Sequence, residues 1–333
     1  MKPILGILLG EATGIGPEII AKLCAANKLH AHCRPVLIGD ARVLEMGKKI
    51  AGVDFPVEII EEVSQAKWDK AFPMLDQKNF DPTNLILGEI NKLSGKVTGD
   101  MLVSAVKLTK QGLIDGFVYA PLHKAALKHG GHNFEDEQKL IAHYLEWNKP
   151  ASEMNVLNNL WTARVTSHIP LESVCAHLSI DTILIAIRMV NQTLQQAGID
   201  QPRVAVAAVN PHGGESGLCG RQEIDIIAPA VEIAKAEGIA AVGPYPSDTV
   251  FINAFKGQYD AVVTMFHDQG QIAMKLMGFQ FGVTVAGGLP YAIATPAHGT
   301  AFDIAGQGIA NPDATEQAVI IAARMVANKA VGA

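Results

Sequence analysis

Short apolar runs alternate with amphipathic segments along most of this sequence, and this alternation constrains the fold more than any other feature. The run Ile4–Leu9 is followed by the helical pattern of Pro17–Ala26, and Phe117–Ala120 is followed by that of His123–Lys128. Buried parallel strands are continuous apolar runs, and the helices that connect them carry one apolar face. The sequence therefore predicts an α/β protein with mostly parallel sheets covered by helices.

Length, composition and charge narrow the class of protein. The 333 residues are enough for two domains, and 49% of them are apolar whereas 18% are charged, which is typical of a folded globular protein. The formal net charge of −6 and the absence of a Lys/Arg run argue against nucleic acid as a partner. No segment approaches the roughly 18 apolar residues that a membrane span requires, and no signal sequence is recognisable. We expect a cytoplasmic protein.

Three predicted strands are each followed closely by a histidine: His168, His212 and His267. In an open α/β sheet, ligands bind outside the carboxyl ends of the strands, where three imidazoles can converge. Three such ligands bind a divalent metal and leave one position open for a substrate oxygen. The pattern favours a catalytic metal site, and the alternative is three unrelated, hydrogen-bonded histidines. The predicted strands are Arg164–Ser167, Val204–Val209 and Ala261–Phe266.

A glycine-rich stretch, Gly10 to Gly16, joins the first predicted strand to the first predicted helix, in which Pro17 is suited to the first position. It differs from the dinucleotide-binding fingerprint, because the third glycine of G-x-G-x-x-G is missing and no acidic residue follows at the expected distance. The stretch indicates either a tight turn that needs positive φ or an anion-binding turn.

The segment from His298 to Pro312, HGTAFDIAGQGIANP, resembles the adenosine-binding loop of the isopropylmalate and isocitrate dehydrogenase superfamily, HG(S/T)A-x-DIAG-x-GIANP. Asp303 stands where the NAD-dependent members have a carboxylate, which accepts hydrogen bonds from ribose hydroxyls and repels the additional phosphate of NADP. The resemblance therefore implies NAD as the cofactor. The implied cofactor-binding residues are His298, Gly299, Thr300, Ala301, Asp303 and Ile304.

Taken in order, the motifs of the chain resemble those of the 4-hydroxythreonine-4-phosphate dehydrogenase family over nearly its whole length. The resemblance implies an isopropylmalate-dehydrogenase-like fold and NAD-linked oxidation of a 3-hydroxyl to a β-keto acid, which then loses carbon dioxide. It also implies a homodimer in which the three histidines bind the metal across the interface, so that one copy lacks a complete site. The motifs are Gly14–Glu18, Ala120–Leu122, Asn210–His212 with Gly214-Glu215, Gly243-Pro244 with Asp248-Thr249, His267–Gly270 and His298–Ala301.

The position of these motifs predicts two domains between which the chain crosses more than once. We expect a cofactor-side domain of residues 1–130 plus 285–333, and a metal, substrate and dimerisation domain of residues 131–284. The metal stays open among zinc, cobalt, nickel, magnesium and manganese, since imidazoles accept several divalent ions.

Two acidic residues near the histidines are candidates for catalysis. Asp248 and Asp268 can orient the metal ligands or transfer a proton, and the alternative is that each caps a turn. Lys275 matches a family lysine that contacts the substrate phosphate, and the alternative is an exposed helix lysine.

Several residues that bind substrate in the family differ here. The family's His-Thr pair falls on Glu137 and Gln138, an asparagine falls on Thr284, and the phosphate-binding arginine falls on Ile293. An aliphatic side chain cannot replace a bidentate anion clamp, and an added glutamate repels phosphate. We therefore expect a different substrate, such as an unphosphorylated hydroxy acid or a cis-dihydrodiol carboxylate of aromatic catabolism. His132 is a further candidate substrate contact.

Two alternatives remain open. The first is authentic 4-hydroxythreonine-4-phosphate oxidation in pyridoxal phosphate biosynthesis, with Lys275 and rearranged groups holding the phosphate. The second is a metal- or ligand-binding protein that has kept the fold and lost turnover. Reduction of NAD distinguishes an enzyme from a binding protein, and dependence on the phosphate distinguishes the two enzymes.

Overall fold

The computed structural model describes residues 1–278 and 281–329 and divides the chain into two compact units. The first unit is Met1–Asn148 together with the segment from Leu289 onward, and the second is Lys149–Gly288. The first boundary thus lies after residue 148, whereas the sequence analysis placed it after residue 130. Residues 279–280 and 330–333 of the predicted domains lie outside the described residues.

A parallel sheet of six described strands forms the centre of the first unit. The strands are β1 (Ile4–Leu8), β2 (Arg34–Gly39), β3 (Val57–Ile60), β4 (Phe72–Asp76), β5 (Gly116–Tyr119) and β12 (Ala292–Pro296). Their spatial order is β3-β4-β2-β1-β5-β12, and every neighbouring pair is parallel. The helices are α1 (Gly16–Ala25), α2 (Lys28–His32), α3 (Ala41–Ala51), α4 (Lys92–Lys110), α5 (Lys124–His129), α6 (Glu137–Tyr144) and α12 (Asp313–Lys329).

The strand order of the first unit has a topological switch point. On one side of β1 lie β2, β4 and β3, in that spatial order, whereas β5 and β12 lie on the other side. The carboxyl ends of β1 and β5 are therefore the edge where ligands bind in sheets of this kind. Helix α6 belongs to this unit because it packs against α4, which accounts for the later domain boundary.

The second unit contains a mixed sheet. Its strands are β6 (Ser152–Leu157), β7 (Leu160–Arg164), β8 (Val204–Ala207), β9 (Ala241–Tyr245), β10 (Ala261–Thr264) and β11 (Val283–Gly287), in the order β11-β6-β7-β10-β8-β9. Strands β7, β10, β8 and β9 are parallel, and β6 is antiparallel to both of its neighbours. Its helices are α7 (Val174–His177), α8 (Ile180–Gln196), α9 (Ala228–Ala236), α10 (Ser247–Phe255) and α11 (His267–Gly278).

These sheets confirm the predicted α/β class, with one shifted element. The strand predicted at Arg164–Ser167 is β7, which spans Leu160–Arg164 and ends where that prediction begins. The reason is the hairpin with β6, in which Leu160 and Trp161 are buried against Leu157 and Val156.

We also searched the described helices for membrane spans. Between residues 1 and 329, apart from the two undescribed positions, no single helix is long and apolar enough to cross a membrane. The pair Leu171–His177 and Ile180–Gln196, bent by 92°, passes the same test of length and composition.

Helices α1 and α3 pack closely because α3 has a glycine at the contact. A Cβ atom at Gly47 would lie 2.4 Å from the carbonyl oxygen of Pro17, which is far inside van der Waals contact. The absence of a side chain there lets α3 hold the start of α1, and with it the glycine-rich turn.

Replacing Gly47 with Ala tests this contact. Helix propensity alone would make Gly47→Ala stabilising by about 1 kcal/mol, whereas overpacking against a backbone oxygen, which cannot move aside, costs about 2–3 kcal/mol, the upper part of the usual range. We expect a net loss of roughly 1–2 kcal/mol in urea unfolding followed by circular dichroism. The exposed Lys49→Ala on the same helix should change stability by less than about 0.5 kcal/mol. A Gly47→Ala protein as stable as the parent would contradict the contact.

Candidate functional site

The three predicted metal-binding histidines lie beyond the carboxyl ends of neighbouring strands. Strand β10 pairs in parallel with both β7 and β8, so the three strands end at one edge of the sheet. His168 follows β7, His212 follows β8, and His267 begins α11 directly after β10. The ring centroids of His168 and His267 are 5.8 Å apart. The structure therefore brings these two imidazoles together within one chain.

The third histidine does not complete a site in a single copy. Among the residues that the structure describes, no group of three or more His, Cys, Asp or Glu side chains is arranged to hold a metal. His212 is exposed and lies in the turn Pro211–Gly217 with left-handed backbone, at φ 54°. The chemistry of three imidazoles fits a divalent metal, and the complete site stays a prediction.

The two candidate catalytic acids have different surroundings. An oxygen of the Asp268 carboxylate lies 2.7 Å from Nδ1 of His267, which fixes the ring and leaves Nε2 directed elsewhere. Metal-binding histidines commonly have such a partner on their other nitrogen. Asp248 is exposed in the first turn of α10, where a carboxylate interacts favourably with the helix dipole. The geometry thus connects Asp268, and not Asp248, directly to a candidate ligand.

Two further side chains, which the sequence analysis did not single out as functional residues, fix this edge of the sheet. The Gln269 amide oxygen accepts from the Met265 N–H and its nitrogen donates to the Ala208 carbonyl, both at 2.8 Å, which links the ends of β10 and β8. The Thr166 hydroxyl donates to the Met265 carbonyl at 2.8 Å and links the end of β7. Gln269 lies in the motif His267–Gly270, and that motif was the available signal.

A buried carboxylate supports the loop that carries His212. One oxygen of Glu223 accepts from the N–H groups of Val209 and Asn210, each at 2.8 Å. Its other oxygen accepts from the Asn210 side chain at 2.9 Å. Glu223 is 3% exposed, so these bonds form in a dry environment and fix the path of the loop. Nothing in the local sequence marks Glu223, because the strand and the acid come together only in the fold.

The candidate substrate residues are divided between the units. In the second unit, the Thr284 hydroxyl accepts from the Asn155 side chain at 3.1 Å, and Lys275 is exposed on α11. In the first unit, Glu137 and Gln138 are buried at the start of α6, and Glu137 Oε2 is 3.8 Å from Nζ of Lys124.

His132 has a different setting. Its Nε2 lies 3.1 Å from the carbonyl oxygen of Lys96 and 3.3 Å from Oδ1 of Asp100, and both residues belong to α4. A Cβ atom at Gly99 would lie 2.1 Å from the imidazole, so the ring fills the space that this glycine leaves. These contacts favour a role in holding the loop before α6 against α4.

Ile293, at the position of the family arginine, is 1% exposed in β12 and pairs with Phe117 of β5. Its side chain is part of the apolar core of the first unit. No anion can be held by this position in the present chain.

The cofactor-like loop packs on the glycine-rich turn of the same unit. The Ile15 N–H donates to the Thr300 carbonyl at 3.1 Å, and a Cβ atom at Gly14 would lie 2.9 Å from that oxygen. Gly10 has φ +73°, which confirms the turn that needs positive φ. Phe302 stacks on His123 with centroids 5.2 Å apart. The turn therefore supports the loop through backbone contact.

The far end of the loop is held by an ion pair on α1. Lys22 Nζ donates to the carbonyl oxygens of Gly308 and Ala310, at 2.9 and 2.7 Å, and to Glu18 Oε1 at 2.7 Å. The same carboxylate oxygen accepts from the Ala310 N–H at 2.8 Å, and its side chain is 1% exposed. We call these two residues, Glu18 and Lys22, the α1 clamp.

Between its two anchors the loop presents the predicted cofactor residues. Asp303 is exposed, and its carbonyl, not its carboxylate, accepts from the Gln307 side chain. Ala301 has φ 44°, and its carbonyl accepts from the Ile304 N–H in a tight turn. His298 Nδ1 lies 3.0 Å from the Gly299 carbonyl, and Thr300 is buried. The Asp303 carboxylate is thus open to a ligand.

Glu11, in the glycine-rich turn, is completely buried. Burial raises the pKa of its carboxyl, and interactions with Ser94, Thr13 and the backbone of His123 offset this only in part. Ser94 belongs to α4 and His123 to the segment after β5, so Glu11 joins the two sides of the switch point. Glu11 was not among the residues that the sequence singled out.

The α1 clamp predicts a measurable effect of Lys22→Met. Without the ammonium group, two loop carbonyls and a buried carboxylate lose their partner, so we expect amide hydrogen exchange in residues 303–311 to become about tenfold faster. The control Lys28→Met removes a lysine whose partners are Glu316 and Asp313, and it should leave loop exchange unchanged. Equal exchange in parent and Lys22→Met would remove the clamp as an anchor.

Comparison with known proteins gives a family model and several relatives that match most of this chain. The family model described as "Pyridoxal phosphate biosynthetic protein PdxA" matches residues 31–322. A Pseudomonas aeruginosa protein, provisionally named 4-hydroxythreonine-4-phosphate dehydrogenase 2, is 45% identical over 98% of each chain. The D-threonate 4-phosphate dehydrogenase of Cupriavidus necator is 38% identical, again over 98% of each chain.

Two solved structures are also similar. The 4-hydroxythreonine-4-phosphate dehydrogenase of Klebsiella pneumoniae superposes with a TM-score of 0.85 at 34% identity, over 98% of each chain. The terephthalate 1,2-cis-dihydrodiol dehydrogenase of Burkholderia xenovorans gives a TM-score of 0.65 at 27% identity, over 93% of this chain and 94% of its own. The chain therefore belongs to the family of pyridoxal phosphate biosynthetic protein PdxA, and it is an oxidoreductase of the dehydrogenase class.

Proposed function

We propose that this chain is an NAD-linked, divalent-metal-dependent dehydrogenase that oxidises a secondary alcohol on a small hydroxy acid without a phosphate group. Decarboxylation of the resulting β-keto acid is part of the proposal. The observation that carries it is the burial of Ile293, which leaves no anion clamp at the family's phosphate-binding position. Three of the similar proteins are named for phosphorylated substrates and one for a dihydrodiol. Members of this fold therefore differ in substrate.

The loop from His298 to Pro312 is the proposed NAD site. Its candidate contacts are the exposed Asp303 carboxylate and the backbone around Thr300, held in place from α1. NAD accepts the hydride in the oxidation. Asp303 would bind ribose hydroxyls and disfavour the extra phosphate of NADP.

His168, His212 and His267 are the proposed metal ligands. These residues would hold a divalent cation, which would supply a Lewis acid that lowers the pKa of the substrate hydroxyl and stabilises negative charge on oxygen. The chain's own residues orient the ligands: Asp268 holds Nδ1 of His267, and Glu223 holds the loop of His212. Asp268 is also the group we propose for proton transfer, since its carboxylate is exposed beside the ligand.

A second copy of the chain is the proposed partner that completes the metal site. Helix α11 begins with His267 and exposes Ile272, Leu276 and Met277 by 59%, 82% and 56%. Exposed apolar side chains grouped in this way mark association surfaces. The proposal is thus a homodimer through α11, located in the cytoplasm.

Two other functional hypotheses compete with this proposal. The names of the relatives and the exposed Lys275 on α11 favour authentic oxidation of 4-hydroxythreonine 4-phosphate in pyridoxal phosphate biosynthesis. The second hypothesis is that the chain binds a metal or another ligand without catalysis. Absence of turnover on every substrate would favour it.

NAD reduction by metal-loaded protein tests the proposal directly. The panel contains 4-hydroxythreonine 4-phosphate, D-threonate 4-phosphate, their unphosphorylated forms and cis-dihydrodiol carboxylates. We expect the highest kcat/KM on an unphosphorylated compound. Activity confined to the phosphorylated compounds would overturn the proposed substrate class.

His212→Asn tests the metal site. Asparagine tolerates the left-handed backbone at this position, so the fold should persist while an imidazole ligand is lost. We expect bound metal, measured by mass spectrometry of the purified dimer, to fall about tenfold or more, together with turnover. The control His177→Asn changes an exposed histidine outside the strand-end set and should keep full metal content. Full metal content in His212→Asn would exclude this residue as a ligand.

Asp303→Lys tests the cofactor preference. A cation in place of the carboxylate should attract the additional phosphate of NADP and remove the hydrogen bonds to ribose. We expect the ratio of kcat/KM for NADP over NAD to rise about tenfold or more, equivalent to about 1.4 kcal/mol. Asp303→Asn, which removes only the charge, should give a smaller rise. An unchanged ratio in both variants would argue against Asp303 as a ribose contact.

A further inference from the structure

The second unit contains a buried arginine that the proposed function does not use. Arg164 is the last residue of β7, and its side chain is 6% exposed. Its Nη2 donates to Glu153 Oε2 at 2.8 Å, its Nη1 to Asn155 Oδ1 at 3.1 Å, and its Nε to the Ser167 hydroxyl at 2.9 Å. The guanidinium is therefore fixed in one orientation by three side chains.

This arginine lies between a candidate substrate residue and a candidate metal ligand. Asn155 stands opposite Thr284 in the β6–β11 pair, and its amide nitrogen donates to the Thr284 hydroxyl. Thr284 falls on a substrate-binding position of the family. On the other side, Ser167 immediately precedes His168. One side chain, Asn155, thus connects Arg164 to Thr284, and the hydroxyl partner of Arg164 is the sequence neighbour of the metal candidate His168.

Helix α11 faces the same group of residues. The Gln271 amide nitrogen donates to Asn155 Oδ1, the oxygen that also accepts from Arg164. Lys275 follows one helical turn later, on the same face of α11. The cluster is therefore covered by the helix that begins with His267.

The guanidinium has capacity beyond these three bonds. It carries five N–H donors in a rigid plane, and the contacts above use one on each nitrogen. One N–H on Nη1 and one on Nη2 are left, and each can donate to an oxygen of an anion such as a carboxylate.

The charge of this cluster selects among anions. Glu153 lies 2.8 Å from Arg164 and balances its charge. A phosphate monoester carries about 1.5 to 2 negative charges near neutral pH, whereas a carboxylate carries one. The glutamate therefore repels a phosphate monoester more strongly than it repels a carboxylate. Both residues are largely shielded from water, so this difference is weakly screened.

We propose that Arg164 binds the carboxylate of the substrate and that Glu153 sets its preference for a carboxylate over a phosphate monoester. This inference rests on the proposed function, because it names the group that holds the unphosphorylated hydroxy acid. The chain thus has a candidate anion-binding arginine in its second unit, although the family position at Ile293 has none.

The first test is calorimetric titration of the purified protein with D-threonate and with threitol phosphate, a phosphate monoester that lacks the carboxylate. The unaltered protein should bind D-threonate more tightly. Glu153→Gln leaves the arginine charge unbalanced, so the affinity ratio of phosphate over carboxylate should rise about tenfold or more. Failure of the unaltered protein to bind D-threonate, or an unchanged ratio in Glu153→Gln, would overturn the proposal.

The second test is the double variant Glu153→Gln with Arg164→Gln, which removes both charges and leaves neither buried alone. We expect D-threonate affinity to fall about tenfold while the melting temperature changes little. Arg203→Gln with Asp260→Asn is the matched control, since that fork, also at 2.8 Å, lies before β8 and β10 at the opposite end of these strands. A double variant that binds D-threonate like the parent would refute the role of Arg164.

These titrations need no turnover, so the inference and the proposed function can fail separately. Binding that follows the expected pattern without NAD reduction on any substrate would refute the dehydrogenase proposal and support the carboxylate site. Oxidation of unphosphorylated acids with an unchanged affinity ratio in Glu153→Gln would do the reverse.

Discussion

Parallel pairing of buried strands determines where the candidate metal ligands and the glycine-rich turn of this protein lie. Because β10 pairs with both β7 and β8, the segments that carry His168, His212 and His267 leave the sheet at the same edge. In the first unit, the glycine-rich turn and the segment after β5 meet at the switch point for the same reason. Side chains such as Gln269 and Glu223 then fix the loops that this pairing has brought together.

Much of this arrangement could be predicted from sequence, because it depends on local patterns. Apolar runs predicted the strands, and the histidines that follow three of them predicted the edge of the sheet where ligands bind. The rest depends on contacts between distant segments, which no local pattern records. Glu223 accepts bonds from Val209 and Asn210, and Lys22 holds carbonyls near residue 310, far along the chain. The start of β7 was misplaced because its partner β6 forms a hairpin that the sequence analysis did not include.

The substrate region shows how a single position can mislead. From the sequence, Ile293 implied the loss of an anion-binding group, and its burial in β12 agrees with that loss. The structure also shows Arg164 beside Thr284, through Asn155, on another strand and in the other unit. Sequence comparison position by position does not find such a group, because Arg164 stands at a different position from the family arginine. Charge balance by Glu153 then distinguishes it from an isolated arginine.

The cofactor-like loop is anchored almost entirely through its own backbone. Its carbonyl at Thr300 bonds to the glycine-rich turn, and its carbonyls at Gly308 and Ala310, with the N–H of Ala310, bond to α1. Backbone groups are the same for every residue type, so the exposed side chains between these anchors can be exchanged without releasing the loop. The cofactor preference proposed for Asp303 can therefore change, by evolution or by engineering, independently of the scaffold that presents this residue.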